Sequence, residues 1–81
     1  MEEELRQPEK RVVGTKQVLR AVRDGRAARV FLCKDADEFL YRQIEAACTE
    51  HNVPVTQMAS REKLGKVCLV GVKTAAAALL R

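Results

Sequence analysis

The residues best suited to chemistry in this chain form one short segment, Gly14-Thr15-Lys16-Gln17, followed one turn later by Arg20. Thr15 is predicted to be a helix N-cap, because its hydroxyl can accept a hydrogen bond from a free N–H of the first turn. The other N–H groups and the helix dipole would then favour a bound phosphate. Lys16, Gln17 and Arg20 add long polar side chains, with Arg20 on the face of Lys16. The segment predicts a small surface for nucleic acid.

An ordinary solvated helix could carry the same residues, because Gly-Thr at a helix start is common and short motifs match often by chance. Both interpretations stay open from this segment alone. Three other arginines lie off the first turn and are expected to touch phosphates at most: Arg6, Arg11 and Arg42.

The acidic pair Asp35 and Asp37 is predicted to cap a helix rather than to catalyse a reaction. The two residues are only two positions apart, and no histidine lies near them in the sequence. His51, the one histidine, is expected on the surface at a helix C-terminus. We therefore predict no catalytic residues and no enzyme activity.

Three cysteines, Cys33, Cys48 and Cys68, are widely spaced in apolar surroundings. Without a CxxC pair and with one histidine, they do not suggest a zinc site. Buried, reduced thiols of a cytoplasmic protein are expected, with no metal and no cofactor.

Composition narrows the class of partner. Fifteen Lys and Arg against eleven Asp and Glu give a net charge of +4, which permits a nucleic-acid partner. Aromatic residues make up only 4%, which argues against proteins that stack successive bases on aromatic rings. Residues 1–81 are expected to form a single RNA-binding domain, monomeric and without a membrane segment.

The elements that must position these residues alternate along the chain. Gly25 is expected to close the first helix, the apolar run from 29 to 33 to be a central strand, and Pro54 to mark an edge strand. Asp35 with Glu38 resembles a capping box. The predicted strands are 12–13, 29–33, 53–55 and 67–71, and the predicted helices are 2–10 (frayed and interrupted at Pro8), 15–24, 35–51, 60–64 (ending at Gly65) and 74–80.

This order, α-β-α-β-α-β-α-β-α, predicts an α/β fold with a sheet covered on both faces, a three-layer α/β/α sandwich.

Three segments together resemble the kink-turn RNA-binding ribosomal proteins of the L7Ae/L30e family, and above all its small bacterial YbxF-type branch. They are Gly14-Thr15-Lys16-Gln17, Lys34-Asp35-Ala36-Asp37 and Ser60-Arg61-Glu62-Lys63-Leu64-Gly65-Lys66, and the resemblance extends from about Arg11 to Leu80. It implies a mixed four-stranded sheet. It also implies recognition of kink-turns, RNA internal loops sharply bent beside tandem sheared G·A pairs.

The resemblance also implies roles for individual residues. Lys16 and Gln17 would meet guanine edges of the sheared pairs, supported by Arg20, and Gly14 and Thr15 would let the helix approach the RNA backbone. Asp37, Tyr41 and Arg61 would line a pocket for one flipped base. The implied RNA-binding residues are Gly14, Thr15, Lys16, Gln17, Arg20, Lys34, Asp37, Tyr41, Met58, Ala59, Ser60, Arg61, Leu64, Gly65 and Lys66.

The chain departs from the family pattern in places. Lys16-Gln17 stands where archaeal and eukaryotic members carry Asn-Glu, Val67 and Leu69 replace small residues, and Val72 replaces a basic one. Two rival functions remain open. One is a ribosome- or ribonucleoprotein-associated protein-interaction module with weak or no RNA affinity, and the other is the RNA-binding module of a modifying enzyme.

Overall fold

The computed structural model describes residues 2–81, which form two short 3₁₀ helices followed by four strands and three α-helices. The 3₁₀ helices span Glu2–Arg6 and Pro8–Lys10. The later elements are β1 (Arg11–Val13), α1 (Thr15–Arg23), β2 (Ala27–Cys33), α2 (Glu38–Glu50), β3 (Val55–Met58), α3 (Arg61–Val67) and β4 (Ala76–Leu80).

The four strands form one mixed sheet in the order β1-β4-β2-β3. β4 is antiparallel to both β1 and β2, whereas β2 and β3 run parallel. β3 lies at an edge, directly after Pro54, as the sequence predicts. The mixed four-stranded sheet implied by the family resemblance is therefore confirmed.

The sheet is covered on both faces because side chains of the central strand alternate. Val30 and Leu32 of β2 pack with buried residues of α1 and α2, whereas Phe31 and Cys33 pack with Leu64 of α3 and with the N-terminal segment. These two cores make the molecule a three-layer α/β/α sandwich, as predicted.

The helix starts differ from the sequence prediction in two places. Thr15 is the first residue of α1 rather than its cap, because Gly14 occupies the N-cap with φ +105° and donates its N–H to Ala76 O of β4 (3.0 Å). Asp37, not Asp35, caps α2 and accepts a hydrogen bond from Leu40 N (3.2 Å). Asp35 is instead bound to the start of α3, where its carboxylate accepts from Arg61 N (2.9 Å).

The helix ends follow the prediction more closely. Gly25, with φ +73°, comes directly after the C-cap of α1, and Asn52, with φ +57°, follows the C-cap His51 of α2. His51 is exposed at the helix C-terminus, as expected.

The predictions for residues 60–71 are wrong in part. α3 begins after its N-cap Ser60 but continues through Gly65 to Val67 instead of ending at the glycine. The segment predicted as a strand from 67 to 71 is the end of α3 and a connection to β4. A short apolar run does not distinguish a strand from a buried helix end, which explains the error.

The alanine-rich C-terminus is a strand, not the predicted helix. Ala76, Ala77 and Ala78 are fully buried in β4, which pairs with β1 on one side and β2 on the other. Alanine has the highest helix propensity, but here the two neighbouring strands supply hydrogen bonds on both sides and the outer layers cover both faces of β4. The small side chains leave room for larger residues from both outer layers.

The N-terminal segment is anchored rather than frayed. Leu5 is fully buried in the core on the α3 face. Arg11 holds the N-terminal segment against the rest of the fold: its Nε donates to Leu5 O (3.0 Å), and its guanidinium also donates to Cys68 O (3.1 Å). None of the helices formed by residues 2–81 is long and apolar enough to cross a membrane.

Candidate nucleic-acid interface

Backbone hydrogen bonds bring the three predicted motifs to one end of the sheet. Gly14 N donates to Ala76 O, Cys33 N to Ala75 O and Lys34 N to Met58 O, each at 3.0 Å. The C-terminal ends of β1, β2 and β3 therefore meet the start of β4, with α1 and α3 beginning beside them. We call this the site end of the sheet.

The first turn of α1 is open at the site end. Its N-cap Gly14 offers no side chain, and no side chain among residues 2–81 caps the helix. The other two α-helices are both capped, by Asp37 and by Ser60, whose Oγ accepts from Lys63 N (3.1 Å). The free N–H groups and the positive dipole end of α1 thus remain available to an anion.

Lys16 and Gln17 are exposed on this open turn, and Thr15 is half-buried. The Gln17 side chain folds back over the glycine, so that a Cβ at position 14 would lie 2.7 Å from Gln17 Oε1. Gly14 therefore both sets the helix start and leaves space for the Gln17 carboxamide. Arg20 is exposed one turn further along.

The second motif, after β2, lies against the third. Asp35 accepts a hydrogen bond from Arg61 N, and Asp35 Oδ2 lies 3.6 Å from Arg61 Nε. The Nε atom is buried and has no hydrogen-bond partner among residues 2–81, so the contact is an ion pair only. Lys34 is exposed beside this pair, and Asp37 is occupied in capping α2.

The three residues expected around a flipped base have separate partners in the structure. Tyr41 lies at the β3 edge, where its hydroxyl accepts from Gln57 Nε2 (2.9 Å). An open cleft beside Tyr41 includes neither Asp37 nor Arg61; it is lined by Lys34, Ala36, Glu38, Arg42, Glu45 and Gln57. A shared pocket of these three residues therefore stays a prediction.

Residues of the third motif divide into supporting and accessible side chains. Met58 and Leu64 are buried in the core on the α3 face, so they hold this segment in place instead of facing a ligand. Ala59 and Lys66 are exposed, with Lys66 Nζ 3.4 Å from Glu62 Oε1.

Gly65 is a packing residue at the centre of this motif. A Cβ at that position would overlap the carbonyl oxygen of Val72, because the connection from α3 to β4 passes directly across the helix. Thr74 N, which donates to Arg61 O (3.0 Å), holds the same connection at its far end. Gly65 is therefore needed for the close approach of the two segments.

Cys33 links the segments at the site end. Its Sγ lies within hydrogen-bonding distance of Ser60 O (3.3 Å) and Thr74 O (3.2 Å). Burial, and then the nearby charge of Asp35, raise the pKa of Cys33 to about 11. Cys48 and Cys68 are also buried and free, and burial raises the pKa of both. The predicted buried thiols are confirmed, and within residues 2–81 no cluster of three potential metal ligands is found.

The exposure of Leu69, and of Val72 just beyond it, was missed because residues 67–71 were predicted to be a strand. Leu69 and Val72 are 68% and 67% exposed on the connection between α3 and β4. Leu69 has φ +59°, an uncommon conformation for a leucine. Gly71, between these two residues, is a turn signal that could have predicted a loop here.

This fold is that of a known class of protein. Residues 2–81 match the model of the ribosomal protein L7Ae/L30e/S12e/Gadd45 family, and the chain belongs to this family. The prediction that it is not an enzyme agrees with membership in this non-enzymatic family.

Curated relatives are similar over nearly the whole chain. An RNA-binding protein of Geobacillus kaustophilus is 47% identical over 79 residues, covering 98% of this chain and 96% of the relative. The RNA-binding protein YbxF of Geobacillus stearothermophilus is 46% identical with the same coverage. Among solved structures, the Giardia lamblia 15.5kD RNA binding protein superposes with a TM-score of 0.90 at 26% identity, covering 99% of this chain and 68% of that chain.

Proposed function

We propose that this protein is a non-enzymatic RNA-binding protein of the cytoplasm that recognises kink-turns in structured RNA, such as ribosomal RNA, as a monomer. The observation that carries the proposal is the open first turn of α1. Gly14 leaves this helix without a side-chain cap, whereas both other α-helices have one. Local rules of helix formation tend to be broken where a protein binds its ligand.

The exposed side chains on this turn suit guanine edges. Lys16 can donate to guanine O6 and N7, and the Gln17 carboxamide can both donate and accept. The deep, narrow major groove of a regular RNA helix would exclude them. A sharply bent step beside sheared G·A pairs opens those base edges to a helix end, which favours a kink-turn over a continuous duplex.

Other residues at the site end would contact nucleotides that the bend displaces. Lys34 is exposed and can contact a phosphate. Leu69 and Val72 offer apolar surface against which an unstacked base can pack. The connection between α3 and β4 carries both side chains, and its close packing against Gly65 holds them in position. Seven of the family-implied residues are exposed and so available to RNA: Lys16, Gln17, Arg20, Lys34, Asp37, Ala59 and Lys66.

Titration of two RNAs tests the proposal. One contains a kink-turn, and the other is the same RNA with Watson–Crick pairs in place of the tandem G·A pairs. Preferential binding of the kink-turn is the expected result. Equal affinity for both RNAs would reject kink-turn recognition and leave general charge attraction. Failure to bind either RNA would favour the rival protein-interaction module.

A further inference from the structure

The exposed face of α1 is basic over the full length of the helix. Lys16, Arg20 and Arg23 are spaced by four and three residues, which places them within an arc of about 60° at 3.6 residues per turn. All three are exposed, whereas Val18 and Val22 on the other side of the helix are fully buried. We call these three residues the α1 basic stripe.

The charges of the stripe are not balanced within the described chain. α1 contains no acidic residue. Four ion pairs are present among residues 2–81, and none of them includes Lys16, Arg20 or Arg23. The stripe therefore presents three cations to solvent without a carboxylate within ion-pairing distance in this part of the chain.

Helix stability does not account for this arrangement. Arg23 in the last turn interacts favourably with the helix dipole, but Lys16 in the first turn interacts unfavourably with it. Lys16 and Arg20, four residues apart, also repel each other. An anionic ligand lying along the helix would offset both effects.

We propose that the α1 basic stripe extends the RNA contact beyond the base edges met by Lys16 and Arg20, so that Arg23, at its far end, binds the sugar-phosphate backbone of an RNA stem that flanks the bend. This inference rests on the proposed kink-turn recognition, which places RNA at the first turn of α1. From Lys16 to Arg23 the helix rises about 10 Å at 1.5 Å per residue. That length is enough for the helix to follow the phosphates of several base pairs of one stem. The partner is therefore a kink-turn whose flanking stem is base-paired at least as far as Arg23 reaches.

The first test compares Arg23→Ala with Arg42→Ala as a matched control. Both variants remove one exposed arginine and change the net charge equally, but Arg42 lies on α2 and pairs with Glu38 at 2.7 Å. Arg23→Ala should weaken kink-turn binding by about fivefold at moderate salt, and should lower the slope of log affinity against log salt by about 1. Arg42→Ala, which removes at most one phosphate contact, should weaken binding less and lower the slope less than Arg23→Ala does. Alanine is a good helix former, and circular dichroism will check that both variants fold.

The second test locates the contact on the RNA. Two kink-turn RNAs are prepared, each with uncharged methylphosphonate linkages in one of its two stems. The effect of Arg23→Ala should disappear on one of these RNAs and persist on the other. An Arg23→Ala effect that equals that of Arg42→Ala, or that persists on both modified RNAs, would overturn the stripe contact.

Wild-type preference for the kink-turn over its Watson–Crick counterpart is measured in the same series. If that preference is present while the Arg23 effect is absent, the stripe contact is wrong and the proposed function stands. If the preference is absent, the proposed function fails, and the stripe contact fails with it.

Discussion

Gly14 has a backbone conformation that favours glycine, and the Gln17 side chain fills the space that a Cβ at this position would need. Its φ of +105° and ψ of 150° are almost restricted to glycine, and a Cβ there would displace the Gln17 carboxamide. We expect Gly14→Val to leave the fold in place, to reduce the free energy of unfolding by about 1–3 kcal/mol, and to weaken RNA binding. Circular dichroism and an RNA titration on the same sample measure these effects.

Gly25→Val provides the matched control for this variant. Gly25 also has a positive φ (+73°), but a Cβ there would meet no atom within 4 Å, and it lies at the other end of α1. The control should therefore lose stability and keep its RNA affinity. Similar affinity losses in the two variants would show that backbone strain alone, and not the site, governs the effect of Gly14→Val.

Gln17 is expected to read bases rather than charge. Loss of its contacts should cost on the order of 1–3 kcal/mol of discrimination, because a base-edge contact is made only with the correct bases. Gln17→Ala should therefore erase much of the preference for a kink-turn over the same duplex with Watson–Crick pairs. Paired titrations at two salt concentrations measure the ratio of affinities.

The comparison variant for Gln17→Ala must remove only surface charge. Arg11, expected from sequence to touch phosphates at most, is unsuitable because its guanidinium binds Leu5 O and Cys68 O inside the fold. Arg6 is exposed and serves instead. Arg6→Ala should lower both affinities together and keep their ratio. An unchanged ratio in Gln17→Ala would contradict base reading at the start of α1.

For individual residues, the sequence predicts the roles of side chains better than the exact residue at which each helix begins. Lys16 and Gln17 lie exposed at a helix start, and Ser60 caps its helix, as their chemistry indicates. The N-caps of α1 and α2 differ from the predicted residues because hydrogen bonds to distant parts of the chain determine where these helices begin. Gly14 is held by β4 and Asp35 by α3, and neither partner is near in sequence.

The elements were predictable where their pattern is unambiguous. α1, α2 and β2 follow from apolar periodicity and from the glycine and asparagine that end the two helices. β4 could not be predicted in the same way, because an alanine run is helical by propensity and becomes a strand only through pairing with β1 and β2. The connection between α3 and β4 was consequently missed, together with its exposed Leu69 and Val72.

Gly65 links α3 to that connection. Gly65→Ala would force its new methyl group against the Val72 carbonyl, and backbone cannot move aside as a flexible side chain can. We expect a loss of about 1–3 kcal/mol in the free energy of unfolding, as for other overpacked positions. Urea unfolding followed by circular dichroism measures this loss.

A substitution at the exposed Gly71 gives the comparison for Gly65. Gly71 has φ +71°, and a Cβ there would meet no atom within 4 Å, so Gly71→Ala adds strain without a collision.

Gly65→Ala should also weaken RNA binding by shifting Leu69 and Val72. If Gly65→Ala proved as stable as the wild type, the close approach of helix and connection would be wrong.

At the scale of the whole molecule, each of the two cores that flank the sheet contains a buried thiol that should lower the stability of the fold at high pH. Cys48 lies in the core beneath α1 and α2, and Cys33 lies in the core beneath α3. Burial raises the pKa of each from the ordinary value of 9.0 to about 11, assisted by Glu45 at Cys48 and by Asp35 at Cys33. Both layers thus favour a neutral thiol, which links stability of the sandwich to pH.

The direction of this pH dependence follows from proton binding. Well below pH 9.0 both folded and unfolded thiols are protonated, so there these groups contribute no pH dependence. Between 9.0 and about 11 the unfolded thiols ionise while the folded ones stay protonated, so stability falls as the pH rises. We expect the Tm to fall between about pH 8 and about pH 10.5, and to fall less in Cys48→Ala. The two proteins differ only at Cys48, so the difference between the two slopes isolates this residue. Equal falls in Tm would show that the Cys48 thiol does not couple folding to pH.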